Sequence, residues 1–228
     1  MITIIEDDYD DIRHHKSSGP FQRSSSLRIT KDQAAENRAR VVDAAAKLFR
    51  AKGFEAVGVA ELMRAAGMTH GGFYNHFASK EAVEAAACEQ VFAKSVAKLE
   101  SIAQMPDEED RHRAFEDYRT RYVSRAARDA TAASCPMVAF AGDVSRQSAE
   151  VRDVYAAGLR AYLGAFERAG DSDGDGGAAR RRAIKQFSEL VGALTLARSV
   201  AVADPELSDE ILRAVQAQTS AIADTSRP

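Results

Sequence analysis

The chain has 228 residues, 45% of them hydrophobic and 29% charged, with a net charge of −3 at pH 7. That leaves room for one large domain or two modest ones, each with a core, and argues against a globally basic nucleic-acid binder. Its two cysteines, Cys88 and Cys135, lie far apart, which excludes a disulfide framework or a Cys-x-x-Cys zinc site. No apolar run is long enough to span a bilayer, and the N-terminus lacks the cationic-then-apolar order of a signal peptide, so a cytoplasmic protein is expected.

Residues 1–29 carry an acidic cluster (Glu6, Asp7, Asp8, Asp10, Asp11), then His14 and His15, then a run of serines. Without apolar periodicity they read as a mobile tail, and the histidine pair as solvated rather than metal-binding. Order is expected from Thr30. Val41, Ala45, Leu48, Phe49 and Lys52 follow a helical stripe that should stop at Gly53. A short helix is predicted from Val59 to Ala66, ended by Gly67, and a third from Thr69 to about His76. Ser79 should cap a long helix reaching about Gln104. Helices are then expected at about 109–130, after Cys135-Pro136, at 149–169, at 178–203 and at 207–223, with a loop at 170–177. Abundant alanine, the absence of tryptophan and the lack of any sustained period-2 alternation give an all-α fold.

Charge is uneven along this frame. Residues 27–80 hold nine Lys/Arg and five acids, a local positive excess on a negative chain, as expected of a DNA-reading module attached to something else. The second and third predicted helices are joined by Gly67-Met68-Thr69, the short glycine-containing turn of a helix-turn-helix unit. In such a unit the second helix enters the major groove. Gly71 and Gly72 weaken that helix but let its backbone approach DNA. Phe73 and Phe77 should face inward, leaving Tyr74, His76 and Lys80 to reach phosphates. Thr69 opens the helix, where a phosphate is favoured. His70 and Asn75 are best placed to touch base edges.

The segment from Ala45 to Glu81, with Gly53-Phe54, Ala66-Gly67-Met68-Thr69, Phe73-Tyr74-Asn75-His76-Phe77 and Ser79-Lys80-Glu81 at fixed spacing, resembles the DNA-binding domain of the TetR family of bacterial repressors. The resemblance implies backbone contacts from Thr69, Tyr74, His76 and Lys80, and base reading around His70, Gly71 and Asn75. One position departs from the pattern. The family usually carries Ser or Thr before the second helix, and here it is Gly58, so no DNA role is assigned to it. The implied organisation is a tail over 1–29, a helix-turn-helix domain over 30–83 and a helical effector-binding and dimerisation domain over 84–228.

Gly192–Arg198 and Asp204–Leu212 are similar to the last two helices of many family members, which pair with the same helices of a second subunit. Ile184, Phe187, Val191, Leu194 and Arg198 form one stripe and Leu190, Ala193, Leu196 and Ala197 a second apolar surface; Phe187, Val191, Leu194 and Arg198, with Ile211 and Val215 on the last helix, are the expected homodimer face. A two-fold dimer would place its readers about one DNA turn apart on a palindromic operator. The resemblance also implies a small-molecule pocket, with Tyr118, Tyr122, Cys135, Met137, Phe140, Tyr155, Leu159 and Tyr162 as candidate walls; a phenolic or aromatic effector would suit them. Cys135 carries an alternative. Next to Pro136 at a helix start, its thiol pKa is expected to be lowered, as in a redox or electrophile sensor. Cys88 is expected to be structural.

Asp171, Asp173 and Asp175 mimic half a calcium loop, but the twelfth position is Arg182 rather than the required Glu. No P-loop, nucleophile elbow or HExxH motif is present. The sequence therefore points to a non-enzymatic regulator requiring no cofactor and no metal.

Overall fold

The computed structural model describes residues 30–170 and 176–225. The tail predicted over 1–29 and the aspartates at 171–175 lie outside these. Among the described residues the chain is helical, with no strand, and no helix is long and apolar enough to cross a membrane.

Helix α1 (Lys31–Lys52) starts where the Thr30 side chain accepts the Gln33 N–H and stops at Gly53. Its inner stripe buries Val41, Ala45 and Phe49. Helix α2 (Val59–Ala65) and a 3-10 segment (His70–Asn75) fold beneath it, closing a core with Phe54, Val57, Leu62 and Phe73. The predicted third α-helix is thus a tighter 3-10 run. Gly71 and Gly72 withhold the propensity that a full α-turn needs in a segment this short. Helix α3 (Lys80–Ala103) leaves this head on a Ser79 cap and runs into the body.

The helix predicted at 109–130 is in fact two: α4 (Glu108–Tyr122) and α5 (Arg125–Asp129). Ser124 makes the break. Its backbone is extended and its side chain accepts the Ala127 N–H, so it caps a new helix instead of continuing the old one. A 3-10 turn (Thr131–Ala133) leads to α6 (Pro136–Val144), which has proline in its first turn. The chain then forms α7 (Ala149–Ala169), α8 (Gly176–Val200) and α9 (Pro205–Thr225).

Helices α3 and α7 pack closely, because a Cβ at Gly158 would collide with the Phe92 ring. An aromatic cluster fills the body: Phe187 lies 4.7 Å from Tyr162 and 5.5 Å from Phe166, and Phe166 lies 4.9 Å from Phe115. The head is bound to the body through α6, where Phe54 stacks on Phe140 at 4.7 Å. Asp43 on α1 adds a clamp to Gln90 (2.5 Å) and Lys94 (3.1 Å) on α3.

Candidate DNA-reading surface and internal cavity

The turn between α2 and the 3-10 segment is fixed by its backbone. The Gly67 N–H bonds the Arg64 carbonyl and the Met68 N–H bonds the Met63 carbonyl, which is a Schellman pair closing the end of α2. Gly67 sits at φ 69°, a conformation that side chains disfavour. The Arg40 guanidinium reaches across from α1 and donates to the Ala66 carbonyl at 2.6 Å. Below the turn Phe73 and Phe77 are buried, their rings 5.9 Å apart, with Arg38 over Phe77 at 4.7 Å.

On the outer side Thr69, His70, Gly71, Tyr74 and Asn75 are exposed, and His76 is half-buried. Tyr74 is 72% exposed, with its ring edge-on to Phe73. Five of the seven residues expected to face DNA are thus exposed, and His76 and Lys80 are half-buried. Lys80 is committed elsewhere. Its ammonium donates to the Phe54 carbonyl at 2.7 Å and pairs with Glu84 at 3.3 Å, tying the start of α3 to the turn after α1. Gly58 begins α2 with no side-chain cap, and nothing lies within 4 Å of a Cβ placed there.

Inside the body, between α1, α3, α4, α8 and the 127–135 segment, is a cavity of about 290 Å³. Tyr118, Tyr122, Cys135 and Tyr162, four of the eight candidate walls, line it. Met137, Phe140, Tyr155 and Leu159 do not; Phe140 is committed to Phe54, and Tyr155 stands edge-on to Phe92 at 5.3 Å. The Tyr118 and Tyr162 hydroxyls bond each other, whereas the buried Tyr122 hydroxyl lies against the Cys135 thiol without a nitrogen or oxygen partner, and Gln90 Oε1, which also lines the space, has none.

Two arginines meet at Ser134 on the cavity wall. Arg198 donates to the Ser134 hydroxyl at 2.5 Å and to the carbonyls of Arg128 (2.9 Å) and Ala127 (2.6 Å). Arg50, from α1, donates to the Ser134 carbonyl at 3.3 Å. Burial pushes both guanidiniums below their ordinary pKa.

Arg198 thus faces its own subunit rather than a partner, and so do Phe187 and Leu194, both buried in the chain's core. Three of the six residues expected at the dimer face are therefore placed inward. The strongest apolar stripe of α8 is taken by its own bundle, because packing there removes the most apolar surface from water. Val191, Ile211 and Val215 are half-buried against the same core. The outer row of α8 is Ile184, Ser188, Gly192 and Leu196, with Leu196 58% exposed; Leu207 on α9 is exposed as well.

A second correction concerns Cys135. Burial pushes its thiol up, outweighing the Met137 and Val138 N–H groups at the start of α6 that pull it down. Cys88, fully buried, is pushed up to about 12. Burial thus holds both thiols toward their protonated form, although Cys135 shares its cavity with Arg50 and Arg198. Among the described residues no group of three or more His, Cys, Asp or Glu could hold a metal.

Residues 41–87 match the model of the tetR family of bacterial regulatory proteins. This stretch of the head is what the chain shares with the TetR family. The matched stretch runs from the buried start of the α1 stripe, through the Schellman turn, into α3. The uncharacterized HTH-type transcriptional regulator YerO of Bacillus subtilis (strain 168) is 37% identical over 67 residues, 29% of this chain and 23% of YerO, so the match spans about a quarter of that relative. A TetR transcriptional regulator from Legionella pneumophila shares the fold at a TM-score of 0.65 and 18% identity, covering 80% of this chain and 95% of that one. SmeT, in its complex with triclosan, aligns at a TM-score of 0.55 and 23% identity over 82% of this chain and 91% of its own. At these identities the structural likeness is one of fold. The body is where sequence reasoning missed most. Arg50, Gln90, Lys94, Lys98 and Arg121 line the cavity and were not foreseen. The available signal was an arginine ending a buried row: Arg50 follows Val42 and Ala46, and Arg198 follows Phe187, Val191 and Leu194.

Proposed function

We propose that this chain is a sequence-specific transcriptional repressor of the TetR family that binds a palindromic operator as a homodimer and leaves it when a small molecule fills the body cavity. The observation that carries this is the reading surface: Tyr74 is held in water beside Thr69, His70, Gly71 and Asn75 by a turn that the Gly67 and Met68 N–H groups close onto the end of α2. A large aromatic at 72% exposure on a rigid turn is poised for a partner, and the local positive excess fits DNA. Tyr74, Thr69 and His76 would grip phosphates, and His70, Gly71 and Asn75 would meet base edges. Lys80 would orient the surface rather than touch DNA.

The head, residues 30–83, would read DNA while the remainder senses and dimerises. Dimerisation is proposed on the outer row Ile184, Ser188, Gly192 and Leu196 with Leu207, where small residues permit close helix approach. For an effector, the support is the cavity with its Tyr122 hydroxyl lacking a nitrogen or oxygen partner, together with the fact that SmeT, of like fold, binds triclosan. An occupant favouring the DNA-incompetent arrangement would shift the population away from the operator.

The test is selection of binding sites from random duplex DNA with the full chain, followed by anisotropy titrations across a salt series. A recovered palindrome bound at nanomolar affinity, with affinity falling steeply as salt rises, is expected. Binding no tighter than to random duplex would overturn the repressor reading. Leu196→Glu should yield monomers by sedimentation and lose operator affinity; an unchanged dimer would move the interface elsewhere.

A further inference from the structure

The cavity wall has an unusual charge balance. Arg50, Lys94, Lys98, Arg121 and Arg198 line it, and among its described lining residues there is no aspartate or glutamate. The five cations fall into two layers. Lys94, Lys98 and Arg121 are exposed at the rim, with Lys98 over the Tyr118 ring at 5.3 Å. Arg50 and Arg198 are half-buried deeper in. Lys94 already has Asp43. Arg50 and Arg198 have only neutral oxygens: the Ala46 and Ser134 carbonyls for the first, and the Ser134 hydroxyl and two carbonyls for the second. Neither has a carboxylate within ion-pair distance, and Asp129, whose charge Arg198 feels, is bound by Arg128 at 2.7 Å. Two desolvated guanidiniums without an anion are costly, and the cost is relieved only when an anion joins them.

From this we infer that the cavity takes a compact organic carboxylate, its anionic end between Arg50 and Arg198 and its apolar body against Val91, Leu194 and the tyrosines. This rests on the effector-gated reading above and specifies the effector's chemical class. A planar carboxylate matches the fork of a guanidinium, and the Tyr122 hydroxyl, buried without a nitrogen or oxygen partner, supplies one further donor. The volume of about 290 Å³ limits the body to a single ring or a short chain. The rim cations would draw the anion inward. Because Arg50 stands on α1, which carries the head's core, a carboxylate that replaces Ser134 as its acceptor acts directly on the reading domain.

The experiment is calorimetry and thermal shift on the full chain with benzoate, 4-hydroxybenzoate, cinnamate and octanoate, each against its own amide. At least one carboxylate should bind about tenfold or more tighter than its amide. Arg50→Gln should erase that gap by weakening the carboxylate far more than its amide. Should Arg50→Gln fail to fold, Arg50→Lys keeps the charge without the planar fork, and an intermediate gap is expected. Amides binding as tightly as the acids, or no acid binding up to millimolar concentration, would overturn the inference. The same protein titrated with its selected operator separates the two claims. Specific DNA binding released by a neutral compound defeats the carboxylate alone. Carboxylate binding without any specific DNA binding defeats the repressor reading and leaves the site.

Discussion

On the reading side of the head, cations are used up on the chain itself: Arg40 holds the Ala66 carbonyl and Lys80 the Phe54 carbonyl, so the end of α2 and the start of α3 are fixed. Around the cavity, where Arg50 of α1 meets the body, polar groups are left open: the Tyr122 hydroxyl and Gln90 Oε1 have no nitrogen or oxygen partner, and Arg50 and Arg198 have no anion. A surface that must present one shape to DNA is served by complete internal bonding. A cavity that must respond to an arriving molecule is served by incomplete bonding, because the free energy released on satisfying those groups is what couples occupancy to shape.

The contrast can be broken by substitution. Phe73→Ala should cost about 3–5 kcal/mol, since it empties the centre of the head core; urea unfolding would show it, and operator binding should vanish with the fold. Arg40→Ala should cost about 1–3 kcal/mol by stripping the Ala66 carbonyl of its only side-chain donor; an unchanged unfolding midpoint would mean the head is not held this way. In the body the same kind of deletion should divide in two. Tyr118→Phe loses the bond to Tyr162 and should cost about 1 kcal/mol. Tyr122→Phe removes a hydroxyl that has no nitrogen or oxygen partner and should leave the melting temperature unchanged or raise it. Equal losses at the two tyrosines would end the comparison. Smallest of all, Gly58→Ser adds a missing cap in open space and should stabilise the head by about a few tenths of a kcal/mol, with a modest gain in operator affinity.

Most of the head was legible in the sequence. Gly53, Gly67 and Ser79 punctuate it where their backbone preferences require, and the Phe73/Phe77 spacing told which side of the reader faces in. Lys80 was not legible in this sense, because a lysine at a helix start looks the same whether it reaches outward or folds back onto a carbonyl 26 residues earlier. The split at Ser124 was hidden for a related reason. A serine inside an apolar pattern caps a helix only if the chain can bend there, and neighbours distant in sequence decide that. The body resisted most at Phe187, Leu194 and Arg198. A helical stripe shows that these residues turn away from water, but core, cavity and partner subunit all satisfy that condition equally.

The stacking of Phe54 on Phe140, together with the bond from Arg50 to Ser134, bears on the interchange of parts between regulators. A cut at the start of α3 would look clean along the chain yet would sever an aromatic pair and a guanidinium contact in space. A foreign head grafted onto this body would have to bring its own aromatic at position 54 and its own arginine at position 50. Otherwise it would read its operator well and be deaf to whatever the body binds.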